Sequence, residues 1–173
     1  MINQGDLLAL LGDLESDRVE RTESTKGTDK FAEAVTAFAN NWAGHRLPGY
    51  LMIGVKNDRT LSGLRVTDTF LTSLGGLRSD GNIQPLPAIS VGKFNFPEGD
   101  VAVVEVLPSD LPPVRYKGRV WIRVGPRKAT ASEQEERILT ERRTARARTF
   151  DAQPCLESGL SRAALLRSST IAA

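Results

Sequence analysis

The chain has 173 residues, enough for one domain with its own core, and its 40% hydrophobic and 25% charged residues are ordinary for a water-soluble globular protein. A net charge of +2 does not by itself call for a polyanionic partner, and the single Cys155 excludes an intramolecular disulfide, which fits a reducing cytoplasm. The first residues lack the basic segment and apolar run of a secretory signal, and no apolar run approaches the roughly 20 residues that cross a bilayer, so a cytoplasmic protein with no membrane partner is expected.

Asn3 is placed to cap a first helix, with Leu7, Leu8, Leu10 and Leu11 at helical spacing and Gly12 as its stop. The polar stretch "SDRVERTESTKGT" reads as extended or looped. Thr28 is the expected cap of "DKFAEAVTAFANNWA", the best helix in the chain, whose stripe of Phe31, Ala34, Val35 and Phe38 should face the core. "GYLMIGV" is an apolar run of strand length, and "KNDRTLSG" is a turn by composition. A weaker helix starts at Thr67 or Asp68. Gly75 and Gly76 cost it about 1 kcal/mol each relative to Ala, which predicts an early end.

"RSDGNIQPLP" reads as a loop. "AISVGKF" and "VAVVEVL" are strands joined by the turn "NFPEGD". "PSDLPPVRYKG" has too many prolines for a central strand and leads into the strand "RVWIRVG". Ser132 and Glu135 form a capping box before the charged helix "EQEERILTERRTARAR". This order predicts an α/β fold of the α+β two-layer kind, a mixed sheet packed by helices, over residues 1–148. Residues 149–173 show little periodicity and are expected to be a disordered or truncated tail.

Charge is unevenly distributed. The first 24 residues hold six acids, Asp6, Asp13, Glu15, Asp17, Glu20 and Glu23, against Arg18 and Arg21. Residues 115–128 hold Arg115, Lys117, Arg119, Arg123, Arg127 and Lys128 and no acid. Such separation predicts a dipolar surface with one basic face. In "RVWIRV", Val120, Ile122 and Val124 alternate with Arg119, Trp121 and Arg123. With the valine face in the core, Trp121 would stand among arginines on an open face, suited to stack on a base while its neighbours hold phosphates. The competing reading is an ordinary exposed strand whose cations guard an edge, with Trp121 covered by the last helix.

Three segments together, "FAEAVTAFANNWAG", "GYLMIGVKNDRTLSGL" and "VAVVEVLPSDLPPVRYKGRVWIRVGPRKATASEQE", resemble the Schlafen AlbA-type domain over about Leu7 to Arg143. The resemblance implies binding of DNA or RNA, DNA first, through phosphates and with low sequence specificity, in a regulatory role. In bacterial relatives the domain usually opens a longer protein. The resemblance also implies an alternative, a metal-dependent nuclease using Mg²⁺ or Mn²⁺ on a carboxylate cluster. Glu15 and Glu20 fit its pair of glutamates five positions apart. Asn57, by strict count, or Asp58, one further on, matches the acid that follows the "IGV" strand. Hard oxygen donors suit those ions, but an Asn carries no charge and cannot act as a base.

A third reading is a protein-interaction module from a larger ATPase-like regulator. No phosphate-loop motif G-x-x-x-x-G-K-[ST] occurs, so no ATP site is seen. His45 alone with Cys155 makes no zinc site. A homo-oligomer is not indicated. The residues expected to touch nucleic acid are Arg115, Lys117, Arg119, Trp121, Arg123, Arg127 and Lys128.

Overall fold

A computed structural model describes residues 2–12, 16–79 and 81–151, the last five of these by backbone alone. Glu15 and the segment 152–173 lie outside the described residues. The described chain is a mixed α+β fold of two four-stranded sheets packed against four helices.

The first helix, α1, spans Gln4–Gly12. The Asn3 side chain accepts from the backbone N–H of Asp6 at 2.9 Å, so the expected cap is formed. Strand β1, Val19–Thr22, follows in the stretch read as extended or looped. Helix α2, Thr28–Asn40, is preceded by Gly27, which makes no side-chain cap. Thr28 therefore lies inside the helix and does not cap it. The helix closes on Asn41 in the left-handed conformation, with φ 42°.

Strand β2 is Gly49–Ile53 and α3 is Asp68–Gly76, capped by the Thr67 side chain, which accepts from the Phe70 N–H. This helix runs through Gly75 and Gly76 and does not end early. Next come β3, Ile83–Gln84, β4, Ile89–Phe96, and β5, Gly99–Val106. The two-residue β6, Arg115–Tyr116, is followed by β7, Arg119–Val124, and β8, Arg127–Thr130. The last helix, α4, spans Glu133–Asp151. The Ser132 N–H donates to the Glu135 carboxylate at 2.8 Å and the Glu135 N–H donates back to the Ser132 hydroxyl, closing the capping box.

The first sheet has the order β1-β2-β5-β4, with β1 parallel to β2 and the other pairs antiparallel. The second has the order β3-β6-β7-β8, all antiparallel. The expected mixed sheet packed by helices is present, with its strands divided between two sheets. The reason lies in α2. Its stripe of Phe31, Ala34, Val35 and Phe38 shares a core with Leu51, Ile53, Ala102 and Val104 of the first sheet and with Ile83, Val114 and Tyr116 on or beside the second.

The opposite face of the first sheet, through Tyr50, Met52, Val101 and Val103, packs on Leu7 and Leu11 of α1. Val120 and Ile122 of the second sheet pack outward on Leu139 of α4. Helices thus cover both faces of β2, which explains why "GYLMI" is apolar throughout and buried at every position.

Asn40, the last residue of α2, joins the layers. Its side-chain amide donates to the carbonyls of Val114 at 2.9 Å and Trp121 at 2.7 Å, and its oxygen accepts from the Val114 N–H at 2.6 Å. The residue is 3% exposed, and three bonds are what a buried amide needs.

Candidate functional site

The seven residues of the basic segment part company in the fold. Both faces of β7 are covered, so the open face expected for Trp121 and Arg123 is absent. Trp121 is half-buried against the α2 side of the core. Its indole Nε1 is buried, without a hydrogen-bond partner among the described residues. A ring held this way is not presented for stacking on a base. The expected alternation also fails at the end of β7. Arg123 is 5% exposed while Val124 is 55% exposed, because Val124 lies past the cluster that α4 covers.

Arg123 is a clamp between β1 and the β7–β8 turn. Its guanidinium donates to the Glu20 carboxylate at 2.6 Å, to the Val19 carbonyl at 3.2 Å and to the Pro126 carbonyl at 2.6 Å. It also lies over the Phe38 ring, 5.1 Å from the centroid. Burial pushes its pKa down from the ordinary arginine value, and the Glu20 carboxylate opposes that shift.

The absence of acids along residues 115–128 does not survive folding. Lys128 Nζ lies 3.2 Å from Glu20, 3.3 Å from Glu33 on α2, and 3.0 Å from the Lys30 carbonyl. Arg115 pairs with Glu136 of α4 at 2.6 Å. Lys117 pairs with Asp29 at 3.0 Å, and the Tyr116 hydroxyl donates to the same carboxylate at 2.6 Å. The Tyr116 hydroxyl and Lys117 together hold the Asp29 carboxyl below its usual value. Arg119 and Arg127 are exposed and have no acidic partner among the described residues. The expected single basic face is therefore two free arginines, at the start of β7 and the start of β8, among cations already paired.

A polar cleft of about 270 Å³ opens between β1 and the β7–β8 hairpin, lined by Val19, Glu20, Arg21, Asn57, Arg123, Pro126 and Lys128. It brings part of the two sets of candidate residues together, Glu20 and Asn57 from the first and Arg123 and Lys128 from the second. The Arg21 guanidinium is turned toward α1, donating to the Leu10 and Leu11 carbonyls. Asp58 does not line the cleft. Its carboxylate accepts from the Thr60 N–H at 2.9 Å and from the Thr60 hydroxyl at 2.6 Å, and these bonds lower its pKa.

The described candidate donors for a divalent cation are engaged elsewhere. Glu20 has one oxygen on Arg123 and the other on Lys128, Asn57 is uncharged, and Asp58 is committed to its own turn. Among the described residues no three His, Cys, Asp or Glu side chains come together as a metal site.

The family model described as Schlafen, AlbA_2 matches residues 15–132. The chain belongs to the Schlafen AlbA_2 family. No curated protein matches it. Among solved structures, the DIP2311 protein of Corynebacterium diphtheriae is similar, with a TM-score of 0.49 and 15% identity over 73% of this chain. The N-terminal domain of a protein related to the ATP-dependent DNA helicase RecG, from Nitrosomonas europaea, is similar with a TM-score of 0.46 and 24% identity over 62% of this chain. The chain spans 29% of the first of these structures and 74% of the second. Among the described residues no helix is long and apolar enough to cross a membrane.

Within this AlbA_2 domain, sequence reasoning missed β3, which lies in the stretch read as a loop, β8, and the three acids Asp29, Glu33 and Glu136. The signal for β8 was "VGPRKAT", where Gly125 and Pro126 make a turn between two short runs of strand formers. No signal marked the acids, because each meets its cation across 21 to 95 residues of chain.

Proposed function

We propose that this AlbA_2 domain binds nucleic acid, DNA first, through backbone phosphates and with little sequence specificity, as a regulatory module. The observation that carries the reading is Arg127, exposed and without an acidic partner among the described residues, at the start of β8 and on the face of the strand opposite Lys128. Arg119 at the start of β7 supplies a second free guanidinium, and the two-residue connection between β7 and β8 holds the hairpin rigid. Guanidinium groups match phosphate oxygens in two-pronged geometry, and contacts of this kind fix register without reading sequence.

The test is fluorescence anisotropy of labelled single- and double-stranded DNA and RNA at several salt concentrations. Each phosphate contact adds about 0.9 to the log–log salt slope on duplex DNA and about 0.7 on single strands. The double variant R119A/R127A should lose roughly 1.8 from the duplex slope. An unchanged slope and affinity in that variant would sink the reading. Arg123 is not the residue to reverse, because a carboxylate there would face Glu20 in the interior.

A second reading, a metal-dependent nuclease, is favoured by one observation, that Glu20 and Asn57 line the same cleft as Lys128. It requires Glu20 to be released from its cations and Glu15 to reach the cleft. It predicts Mn²⁺-dependent cleavage of the same oligonucleotides that disappears in E20A. Full-length oligonucleotides after prolonged incubation with Mn²⁺ and the wild-type chain would rule it out.

A further inference from the structure

Resting on the phosphate-binding reading above, we propose that Glu20 stands in the cleft as an internal substitute for a phosphate, and that a nucleic-acid strand binds by replacing it on Lys128. A carboxylate that bridges an arginine and a lysine through its two oxygens presents the donors with what two phosphate oxygens would present. Glu20 does this, with Oε2 2.6 Å from Arg123 and Oε1 3.2 Å from Lys128. The Lys128 ammonium is held on three sides, hydrogen-bonded to Glu33 and the Lys30 carbonyl and ion-paired with Glu20. A phosphate therefore reaches this ammonium only by displacing an acceptor already there.

The two cations differ in freedom. Arg123 is almost fully buried and is pinned by the Val19 and Pro126 carbonyls as well as by Glu20. Lys128 has a flexible stem, keeps 17% of its side chain exposed, and holds its two carboxylates at the longer distances of 3.2 and 3.3 Å. Lys128 is the arm that moves, and Arg123 keeps Glu20 paired after the exchange. The charges of Glu20 and Glu33 cancel those of Arg123 and Lys128, so the exposed Arg119 and Arg127, outside the cleft, make first contact and Lys128 follows. The carboxylate that Lys128 leaves takes up a solvent cation, which offsets the counterion released from the strand. The wild-type cleft thus adds little to the salt slope.

The experiment is the same anisotropy titration on duplex DNA with wild type, E20Q, E33Q and E20Q/K128A. E33Q tests the idea without taking the counter-charge from Arg123, should E20Q fold poorly. Both single variants are expected to bind several-fold more tightly than wild type, with a salt slope steeper by about 0.9, the value of one phosphate contact. E20Q/K128A is expected to lose that gain. Wild-type binding with no gain in E20Q or E33Q overturns the inference and leaves the phosphate-binding reading standing. A gain that persists in E20Q/K128A also overturns it, because the effect is then one of net charge and not of Lys128. No binding by any of the four proteins overturns both.

Discussion

Arg123 shows how far one residue's role depends on where its neighbours fold. In the sequence it is one of six cations along 14 residues, and nothing sets it apart. In the fold it is a buried clamp with three hydrogen-bonded partners, while Arg119 and Arg127 on either side of it in the sequence stay in solvent. Removing one partner of a buried ion pair costs about 3–5 kcal/mol, because the other charge stays behind uncompensated. Here Glu20 keeps Lys128 as a second partner and is 22% exposed, so R123A belongs at the lower end, about 3 kcal/mol. Urea denaturation measures it, and R119A should fall within about 0.5 kcal/mol of wild type in the same assay. Equal stability of R123A and R119A would contradict the clamp.

At the scale of elements, α2 organises the domain, and Asn40 at its end is the tie to the second sheet. The sequence marked the helix through its apolar stripe but gave no reason for the Asn that closes "AFAN". N40A leaves the Val114 N–H and two carbonyls without their buried partner, and at roughly 1 kcal/mol per lost bond the variant should lose about 3 kcal/mol. A thermal or urea melt checks this, and a cost under about 1 kcal/mol would mean that water replaces the amide. Crowding under α2 has a second expression at Gly49, where a Cβ would overlap the Phe38 ring, so only glycine lets β2 start beneath the helix.

Most elements could be read directly from the sequence. The caps expected at Asn3 and Ser132 are local side-chain bonds that span three residues, and both form. Errors gathered where local cues compete with packing. Thr28 offers a cap but Gly27 takes the position, and α3 tolerates two glycines because Leu74 and Leu77 are buried in the core.

For the whole molecule, the charge pattern of the sequence and that of the surface are different things. The acidic N-terminal segment and the basic segment look like two poles, but Glu20 of the first sits on Arg123 and Lys128 of the second. This bears on the salt dependence of binding. Six phosphate contacts, one for each cation singled out in the sequence, would cut duplex affinity roughly 1,800-fold for a fourfold rise in salt. Two free arginines give a loss of roughly tenfold, and the paired Arg115 and Lys117 add little, because the carboxylate each would leave takes up a solvent cation. The anisotropy titration separates these cases.

The sequence by itself determined the family, the α+β class, the caps of α1 and α4 and the core stripe of α2, because each of these is written in contiguous residues or in local periodicity. Tertiary structure alone decided which cations are free. It divided the strands between two sheets, covered both faces of β7, and brought Glu20, Asn57 and Lys128 to one cleft. Those outcomes depend on charges and surfaces more than 100 residues apart, and no pattern along the chain carries that distance.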